Sequence, residues 1–285
     1  MKVKSVKIDG KKLGYFDVGR GSPILMLHGL SACKESFIPV INELKDNYRV
    51  IAIDLPGHRD SEELDCLHNL ESYSDFLFKF IKKLKIKKIS LFGTSIGASI
   101  ALQFSLSYPN QVNKLIVQSP IFNYKQLKTS KVVPFYFKYA IFFPVIKFFS
   151  KFDFFREYFF FKYTNRLIQN KIPQVANNMQ REDRELIKSV GYDVINAHLN
   201  HSSIDAWVES GFSLLEVDLI DSLKRVSAKT LILWGENDEF LSMKWGSILN
   251  KLIVVSKLVK IKKSSHFMIM EKPKKVAGIV RRFLK

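Results

Sequence analysis

Strand-like and helix-like hydrophobic patterns alternate along the first part of the chain. Residues 5–8 and 12–18 flank Asp9-Gly10, a dipeptide that tolerates the positive φ angles of a tight turn, so they predict a β-hairpin. Short apolar runs follow, of the kind found in strands that are buried on both faces of a parallel sheet. The runs that we interpret as strands are residues 23–27, 48–54, 88–92 and 114–118.

Segments with helical periodicity lie between these runs. In residues 71–85, Phe76, Phe80, Ile81 and Leu84 recur every three or four positions, as on the buried face of a helix. Residues 36–45 and 97–108 are also predicted to be helical. Alternation of strand and helix predicts an α/β protein with a mostly parallel, doubly wound sheet and right-handed crossovers.

The alternation stops near residue 120 and returns near residue 227. We interpret residues 121–226 as a predominantly helical insertion, because they lack the strand pattern and are rich in aromatic and basic residues. The predicted core domain then comprises residues 1–120 and 227–285. Its last part holds two predicted strands, residues 230–234 and 256–261, and two predicted helices, residues 243–250 and 274–284.

The sharpest chemical signal is Gly93-Thr94-Ser95-Ile96-Gly97, between a predicted strand and a predicted helix. Glycines two residues before and two after the serine permit the sharp turn that exposes its hydroxyl at the end of the sheet. The backbone N–H of Ile96, at the start of the helix, can then face a developing oxyanion. We therefore predict Ser95 as a nucleophile.

A serine needs a base, and the base needs a carboxylate that holds its tautomer. Asp238 follows the predicted strand 230–234, and His266 follows the predicted strand 256–261. Both positions lie at the carboxyl ends of strands, where open α/β sheets gather their ligands. Ser95, Asp238 and His266 thus form a predicted catalytic triad, in the chain order serine, aspartate, histidine.

Three further segments occur in order with this set. They are Leu27-His28-Gly29-Leu30, Asp54-Leu55-Pro56-Gly57-His58, and His266 with Glu271 and Pro273. Together with the serine turn they resemble the α/β-hydrolase family, and the resemblance extends over nearly the whole chain except the insertion.

The resemblance implies a fold of α/β-hydrolase type, with a helical cap formed by residues 121–226 over the nucleophile. It also implies a second oxyanion donor, the backbone N–H of Leu30. His28 and Gly29 would support that loop, as Gly93 and Gly97 support the serine turn. No metal or organic cofactor is expected for such a reaction.

The chain departs from the family pattern in two places. His58-Arg59-Asp60-Ser61 stands where the family often has Gly-His-Gly-x-Ser, so we expect an altered loop that carries two charges. Ala98 follows the serine turn where glycine is common. Ser95 itself argues against the haloalkane dehalogenase and epoxide hydrolase branches, which use aspartate at that turn.

These observations favour a serine hydrolase that cleaves carboxylic esters with hydrophobic acyl groups, similar to an esterase or monoacylglycerol lipase. A thioesterase, an amidase or a carbon–carbon bond hydrolase built on the same triad remains open. A hydrolase-like binding protein without catalysis is the alternative from another class. A small apolar ester is the expected substrate.

The amino-acid composition leaves the predicted fold and triad unchanged and adds information about the surface charge. The 285 residues include 47% hydrophobic residues, enough for a sizeable core, and 45 Lys+Arg against 27 Asp+Glu, a net charge of +18. Such charge invites nucleic-acid or anionic-membrane partners, but no nucleic-acid-binding motif accompanies it, so we expect no nucleic acid. Cys33 and Cys66 have no metal-ligand spacing and predict free thiols, and His198 with His201 lack supporting ligands.

Aromatic and basic residues coincide in the first half of the predicted cap. Residues 135–163 hold sixteen aromatic side chains, and residues 125–171 hold ten basic against two acidic residues, a net +8. Two interpretations stand: a cap that rests peripherally on an anionic membrane, or a cap whose phenylalanines form its own core while its lysines face water. The charged residues 1–7 lack the apolar stretch of a secretory signal, so we expect a cytoplasmic protein of unspecified oligomeric state.

Overall fold

The computed structural model describes residues 1–128 and 203–285, in which eight strands form one sheet in the order β1-β2-β4-β3-β5-β6-β7-β8. The strands are β1 (Lys4–Ile8), β2 (Lys11–Val18), β3 (Pro23–Leu27), β4 (Arg49–Ile53), β5 (Ile89–Thr94), β6 (Val112–Gln118), β7 (Lys229–Gly235) and β8 (Ser256–Ile261). Only β1 and β2 pair antiparallel with their neighbours, and β3 to β8 are parallel. The mostly parallel α/β sheet predicted from the sequence is confirmed.

Strand positions agree closely with the hydrophobic pattern. The β1–β2 hairpin turns at Asp9 and Gly10, whose φ angles of 50° and 82° lie in the left-handed region. Strands β5 and β7 run one or two residues further than predicted, into the glycine-containing ends Gly93-Thr94 and Gly235. Because all parallel strands run the same way, their ends form one carboxyl edge, and this edge is where the candidate site residues lie.

Helices cover both faces of the sheet. They are α1 (Ile38–Leu44), α2 (Leu70–Lys83), α3 (Ile96–Ser107), α4 (Lys125–Lys128), α5 (Ile204–Glu216), α6 (Met243–Leu252), α7 (Met268–Glu271) and α8 (Pro273–Leu284). Side chains of α1 and α8 pack on the face that includes Met26 and Phe92. Those of α2, α3 and α6 pack on the opposite face, with Trp234 in that core.

Helix starts follow from local chemistry. The side chain of Asn69 accepts a hydrogen bond from the backbone N–H of Ser72 at 2.8 Å and so caps α2. Pro273 occupies the first turn of α8, where its missing N–H costs nothing. The predicted helix 36–45 differs from the structure, because a 3₁₀ turn over Lys34–Phe37 comes first and α1 begins only at Ile38.

The two described ends of the predicted cap lie side by side. Asn123 and Asp218 form an antiparallel bridge. The backbone N–H of Tyr124 donates to Val217 O at 2.7 Å, and that of Leu219 donates to Phe122 O at 2.8 Å. Helix α5 follows the undescribed part of the insertion. The aromatic and basic stretch and the pair His198 and His201 lie outside the described residues, so the cap as a domain remains a prediction.

Candidate active site

Ser95 lies on a strained turn between β5 and α3. Its φ of 53° is unusual for a residue other than glycine, and its backbone N–H donates to Gln118 O of β6 at 2.9 Å. A Cβ on Gly93 would lie 2.2 Å from Gly97 O, and a Cβ on Gly97 would lie 2.2 Å from Leu27 O. Both glycines are therefore required sterically, as expected for a turn that packs β5, α3 and β3 together at the serine.

Asp238 and His266 are hydrogen-bonded to each other. His266 Nδ1 lies 2.9 Å from Asp238 Oδ2, with the Asp238 side chain fully buried and that of His266 11% exposed. The sequence placed both residues just beyond β7 and β8, and the structure brings them together there. Within the described residues, no hydrogen bond joins the Ser95 hydroxyl to the His266 ring.

Asp238 is held by donors that keep it ionised. Its Oδ1 accepts from the backbone N–H groups of Phe240 at 3.0 Å and Leu241 at 2.9 Å, and its Oδ2 accepts from Ser119 Oγ at 2.8 Å. Burial alone would raise the pKa of Asp238, but the charge of His266 and these hydrogen bonds hold it below its usual value. A carboxylate in this state fixes the Nδ1–H tautomer of His266.

The loop before His266 is fixed by residues that the sequence reasoning did not assign. The buried Glu271 accepts from Ser264 Oγ and Ser265 Oγ, both at 2.6 Å, and from the backbone N–H of Ser265 at 2.8 Å. Gln118 Nε2 donates to His266 O at 2.7 Å. Glu271 was noted only as part of a motif, and no sequence signal marks Gln118 or Ser119, whose partners are more than one hundred residues away.

The expected oxyanion donors flank the serine turn. Gly29 is so close that a Cβ there would lie 3.3 Å from Ser95 Cβ, which places the 28–31 loop against the serine. Within the described part of the chain, neither Leu30 N–H nor Ile96 N–H donates to another protein group. Two donors without protein acceptors beside Ser95 are the arrangement that an oxyanion requires.

His28 supports this loop as a neutral imidazole. Its Nε2 accepts from the backbone N–H of Leu55 at 2.9 Å, so its proton is on Nδ1, which donates to Gly29 O at 2.8 Å. Burial, together with nearby His58, lowers the pKa of His28 well below the ordinary histidine value. His28 thus links the ends of β3 and β4 without carrying charge.

Arg59 stands where the family pattern often has glycine. Arg59 adopts a φ of 44°, a left-handed conformation that a glycine would adopt without strain. The two charges of the loop do not pair closely with each other: Arg59 lies 3.9 Å from Asp60 but 3.4 Å from Glu35, and Asp60 lies 2.5 Å from Lys34 Nζ. The backbone at Arg59 thus keeps a conformation that suits glycine, and the expected change of loop shape stays a prediction.

One group of metal-ligand types lies close together among the described residues: Cys33, Glu35 and Asp54. Lys34 Nζ contacts Asp54 Oδ2 at 2.7 Å and Glu35 Oε1 at 3.1 Å, so a buried ammonium already neutralises these carboxylates. Burial, reinforced by Glu35, raises the pKa of Cys33 well above its ordinary value and keeps the thiol protonated. Cys33 and Cys66 are both free, as predicted. The chemistry of this group fits an internal ion pair.

Comparison with known proteins identifies the family to which the chain belongs. The family model of the alpha/beta hydrolase fold matches residues 22–273, so the chain belongs to that family. Among curated relatives, the monoacylglycerol lipase ABHD6 of Mus musculus is 24% identical over 281 residues, covering 93% of this chain and 76% of the relative. Epoxide hydrolase 4 of Mus musculus is 26% identical over 299 residues, covering 98% of this chain and 78% of the relative.

A solved structure shows the same fold. A thermophilic esterase from Thermogutta terrifontis superposes with a TM-score of 0.73 at 22% sequence identity, covering 100% of this chain and 97% of the esterase. The hydrolase class is therefore established for this chain. Among residues 1–128 and 203–285, no helix has both the length and the apolar character needed to cross a bilayer.

Proposed function

We propose that the protein is a serine hydrolase that cleaves carboxylic esters with hydrophobic acyl groups. The observation that carries the proposal is the Asp238–His266 hydrogen bond of 2.9 Å at the same carboxyl edge where the strained Ser95 turn ends β5. A nucleophile, a base and a group that orients the base are the parts that acyl transfer requires.

In the proposed mechanism, His266 Nε2 takes the proton of Ser95 as Oγ attacks the acyl carbonyl carbon. The N–H groups of Leu30 and Ile96 stabilise the tetrahedral oxyanion, and one good donor of this kind contributes about 3–4 kcal/mol. His266 then gives the proton to the leaving alcohol oxygen. Water, activated by the same base, releases the acid from the acyl-enzyme. Asp238 stays ionised throughout and stabilises the imidazolium.

Two further observations support an apolar ester as the substrate. If residues 121–226 cover the site as the family resemblance implies, the aromatic residues of 135–163 give it an apolar ceiling. Relatives over most of the chain include monoacylglycerol lipases. The relative named epoxide hydrolase 4 is as similar overall, but Ser95 favours acyl chemistry, because epoxide opening in this family uses an aspartate nucleophile at the turn.

A fluorophosphonate probe tests the nucleophile, since it labels only activated serines. We expect the wild type to be labelled and Ser95→Ala to be unlabelled. Ser107→Ala, at the exposed end of the same helix α3, is the matched control and should be labelled like the wild type. A folded wild type that resists the probe would refute the proposed nucleophile.

Substrate class is tested with p-nitrophenyl esters of graded acyl length. An apolar acyl site should raise kcat/KM with chain length, because each additional buried methylene contributes up to about 0.8 kcal/mol. A flat profile, or a preference for the shortest acyl group, would contradict the hydrophobic-acyl proposal while leaving the serine hydrolase intact. Matched thioester and amide substrates distinguish the ester from the other bonds that this triad can cleave.

A further inference from the structure

We propose that the end of the molecule opposite the carboxyl edge is a docking surface for an anionic lipid bilayer. We call this surface the amino end, because it is formed where strands β5 to β8 begin. It combines exposed basic side chains with a protruding apolar loop, residues 253–255, between α6 and β8. The proposal is independent of the ester hydrolysis proposed above.

Basic residues mark the start of each of these four adjacent strands. Lys87 and Lys88 precede β5, and Lys114 is the third residue of β6. Lys229 is the first residue of β7, and Lys257 is the second residue of β8. Lys114 and Lys229 are direct register partners on adjacent strands. Burial, and then the charge of Lys229, lower the pKa of Lys114, as expected where like charges meet without a counter-ion.

Helix ends add to this charge. Helices that connect parallel strands run antiparallel to them, so α2, α6 and α8 end near the amino end. Their last turns carry Lys82 and Lys83, Lys251, and Arg281 and Arg282 respectively. A cation at a helix carboxyl terminus is favoured by the helix dipole, which accounts for these residues without a partner. Lys114 has a similar explanation, since its Nζ donates to Phe283 O at the end of α8 at 2.8 Å. Among the described residues, no such contact accounts for Lys87, Lys88, Lys229 and Lys257.

The chain segments that form β5 to β8 and most of their helices hold few acidic residues, although Glu43 of α1 lies next to Arg281 of α8. Residues 76–128 contain none, and residues 222–285 contain only Glu236, Asp238, Glu239 and Glu271. The first three follow β7 and the fourth lies in α7, so all four belong to the carboxyl edge. None of these acidic residues therefore lies among the lysines of the amino end, although the carboxyl edge carries lysines as well, including Lys244 and Lys262.

The 253–255 loop supplies the apolar component. Val254 is 83% exposed and Val255 is 44% exposed, whereas Ile253 is fully buried and anchors the loop. Val255 O accepts the backbone N–H of Thr230 at 2.9 Å, which fixes the loop beside Lys229 at the start of β7. Lys251 and Lys257, both exposed, flank the two valines in sequence.

A bilayer fits these features better than a polyanion such as RNA. Exposed valines within a ring of lysines can enter the headgroup region while the ammonium groups meet lipid phosphates, and each such lysine is worth about five-fold in partition. Nucleic-acid surfaces instead rely on aromatic or arginine stacking, and an exposed valine contributes nothing to phosphate binding. With the bilayer at the amino end, Ser95 faces the aqueous side, about 20 Å away along the seven residues of β7.

Flotation of the full chain with vesicles tests the proposal. We expect binding to vesicles of phosphatidylcholine mixed with phosphatidylglycerol, weak binding to phosphatidylcholine alone, and loss of most binding at about 1 M salt, where the screening length is about 3 Å. A parallel experiment replaces the vesicles with poly-uridylate and measures how tightly the protein binds this RNA. Tighter retention of RNA than of anionic vesicles would overturn the assignment to lipid.

Paired variants locate the surface. Lys251→Gln/Lys257→Gln removes two charges at the amino end, and Lys244→Gln/Lys262→Gln removes two from the opposite ends of the same helix and strand. We expect the first pair to weaken vesicle partition roughly 30-fold and the second to change it less than about three-fold. Val254→Asn/Val255→Asn should weaken partition at every salt concentration.

Equal effects of the two lysine pairs would show attraction by net charge alone and would overturn the proposal. Full binding by the amino-end variants would overturn it too, and would assign the contact to another part of the chain, such as the aromatic stretch of the insertion. Circular dichroism and thermal unfolding of each variant verify that the fold is retained. Fluorophosphonate labelling is expected to be the same in all of them.

Discussion

Asp238 is the residue whose surroundings say most about the proposed reaction. It is fully buried and yet accepts hydrogen bonds from His266, Ser119 and two backbone N–H groups. These donors offset the desolvation of a buried carboxylate, which would otherwise be protonated and unable to orient an imidazole. Its ionisation is thus a property of the loop that holds it.

Replacement of Asp238 by asparagine should lower kcat by roughly four orders of magnitude, because an amide stabilises the wrong histidine tautomer and cannot stabilise the imidazolium. The measurement is steady-state ester hydrolysis across pH. Ser119→Ala is the graded companion, expected to cost only about ten-fold because three acceptor contacts of Asp238 remain. A D238N enzyme with near-wild-type kcat would remove Asp238 from the mechanism.

At the residue scale, the sequence predicts placement best where position in a strand decides it. Ser95, Asp238 and His266 each follow a parallel strand, so topology alone brings them to one edge. Ser119 and Gln118 contribute through contacts with residues that are remote in sequence, and their side-chain directions depend on the packing of β6 against two loops. No local pattern encodes such contacts.

Helix α5 is the element that connects the insertion to the proposed oxyanion site. Trp207 Nε1 donates to Ser31 Oγ at 2.7 Å, and a Cβ on Gly211 would lie 3.7 Å from Leu30 Cδ2. Ser31 holds a φ of 62°, a conformation that costs a residue with a Cβ about 1 kcal/mol or more. The hydrogen bond from α5 therefore stabilises a strained residue directly after Leu30, the proposed oxyanion donor.

Trp207→Phe should lower kcat about five-fold, the value of one hydrogen bond, because the 28–31 loop relaxes and Leu30 N–H loses its position. Ser31→Gly relieves the strain and should restore most of kcat in the Trp207→Phe background. Ser31→Ala should resemble Trp207→Phe and add little to it. The double-mutant cycle is measured on kcat and KM separately. Additive losses, or no rescue by glycine, would disprove the coupling.

Gly235 positions the histidine loop from β7. A Cβ at this glycine would lie 2.3 Å from Ser265 O, a backbone atom next to His266. Gly235→Ala should therefore displace the loop, lower kcat by about two orders of magnitude and reduce the free energy of unfolding by about 1–3 kcal/mol.

The matched control is Gly278→Ala in α8, where the nearest atom to a new Cβ is Arg282 Nη1 at 3.9 Å. It should leave activity unchanged and raise the free energy of unfolding by about 0.5–1 kcal/mol, through helix propensity. Chemical denaturation and ester hydrolysis measure both variants. Equal behaviour of the two alanines would contradict the steric argument.

At the scale of the whole molecule, buried neutral histidines couple stability to pH. His58 is 1% exposed, and burial lowers its pKa from 6.5 to about 4. As the pH falls, the unfolded chain is protonated at this histidine before the folded protein is. The free energy of unfolding is therefore unaffected by protonation of His58 above pH 6.5 and decreases as the pH falls from 6.5 toward 4. Burial raises the pKa of Asp54 to about 6, so the folded protein takes up this proton before the unfolded chain does. Protonation of Asp54 therefore increases the free energy of unfolding as the pH falls below about 6, opposite to the effect of His58.

His58→Phe isolates this contribution, since it removes the proton site and keeps an aromatic ring against His28, whose ring centre lies 5.0 Å away. From pH 6.5 to 4, the wild type should lose about 3 kcal/mol more free energy of unfolding than the variant. Urea unfolding at several pH values measures the difference. Parallel curves for the two proteins would show that His58 does not govern it.

The whole-molecule fold was predictable because buried parallel strands and amphipathic helices have distinct periods, and no long-range detail is needed to distinguish them. Boundaries shifted where chemistry overrides periodicity, as at the 3₁₀ turn Lys34–Phe37, where Lys34 is drawn into contact with Asp54 and Asp60. The positive charge was assigned from composition to the insertion. The position of lysines at the starts of the adjacent strands β5 to β8 emerged only from strand order.

The antiparallel pairing of residues 122–124 with residues 217–219 closes the insertion at its base. A segment whose two ends meet in this way can be exchanged without changing the register between β6 and β7, as long as the new segment reproduces the contact of α5 with the 28–31 loop. Evolution can then change which substrates enter the proposed site without changing the residues that react with them. A transplanted segment from a relative, joined at this bridge and carrying a counterpart of Trp207, would keep the proposed chemistry and bring its own selectivity.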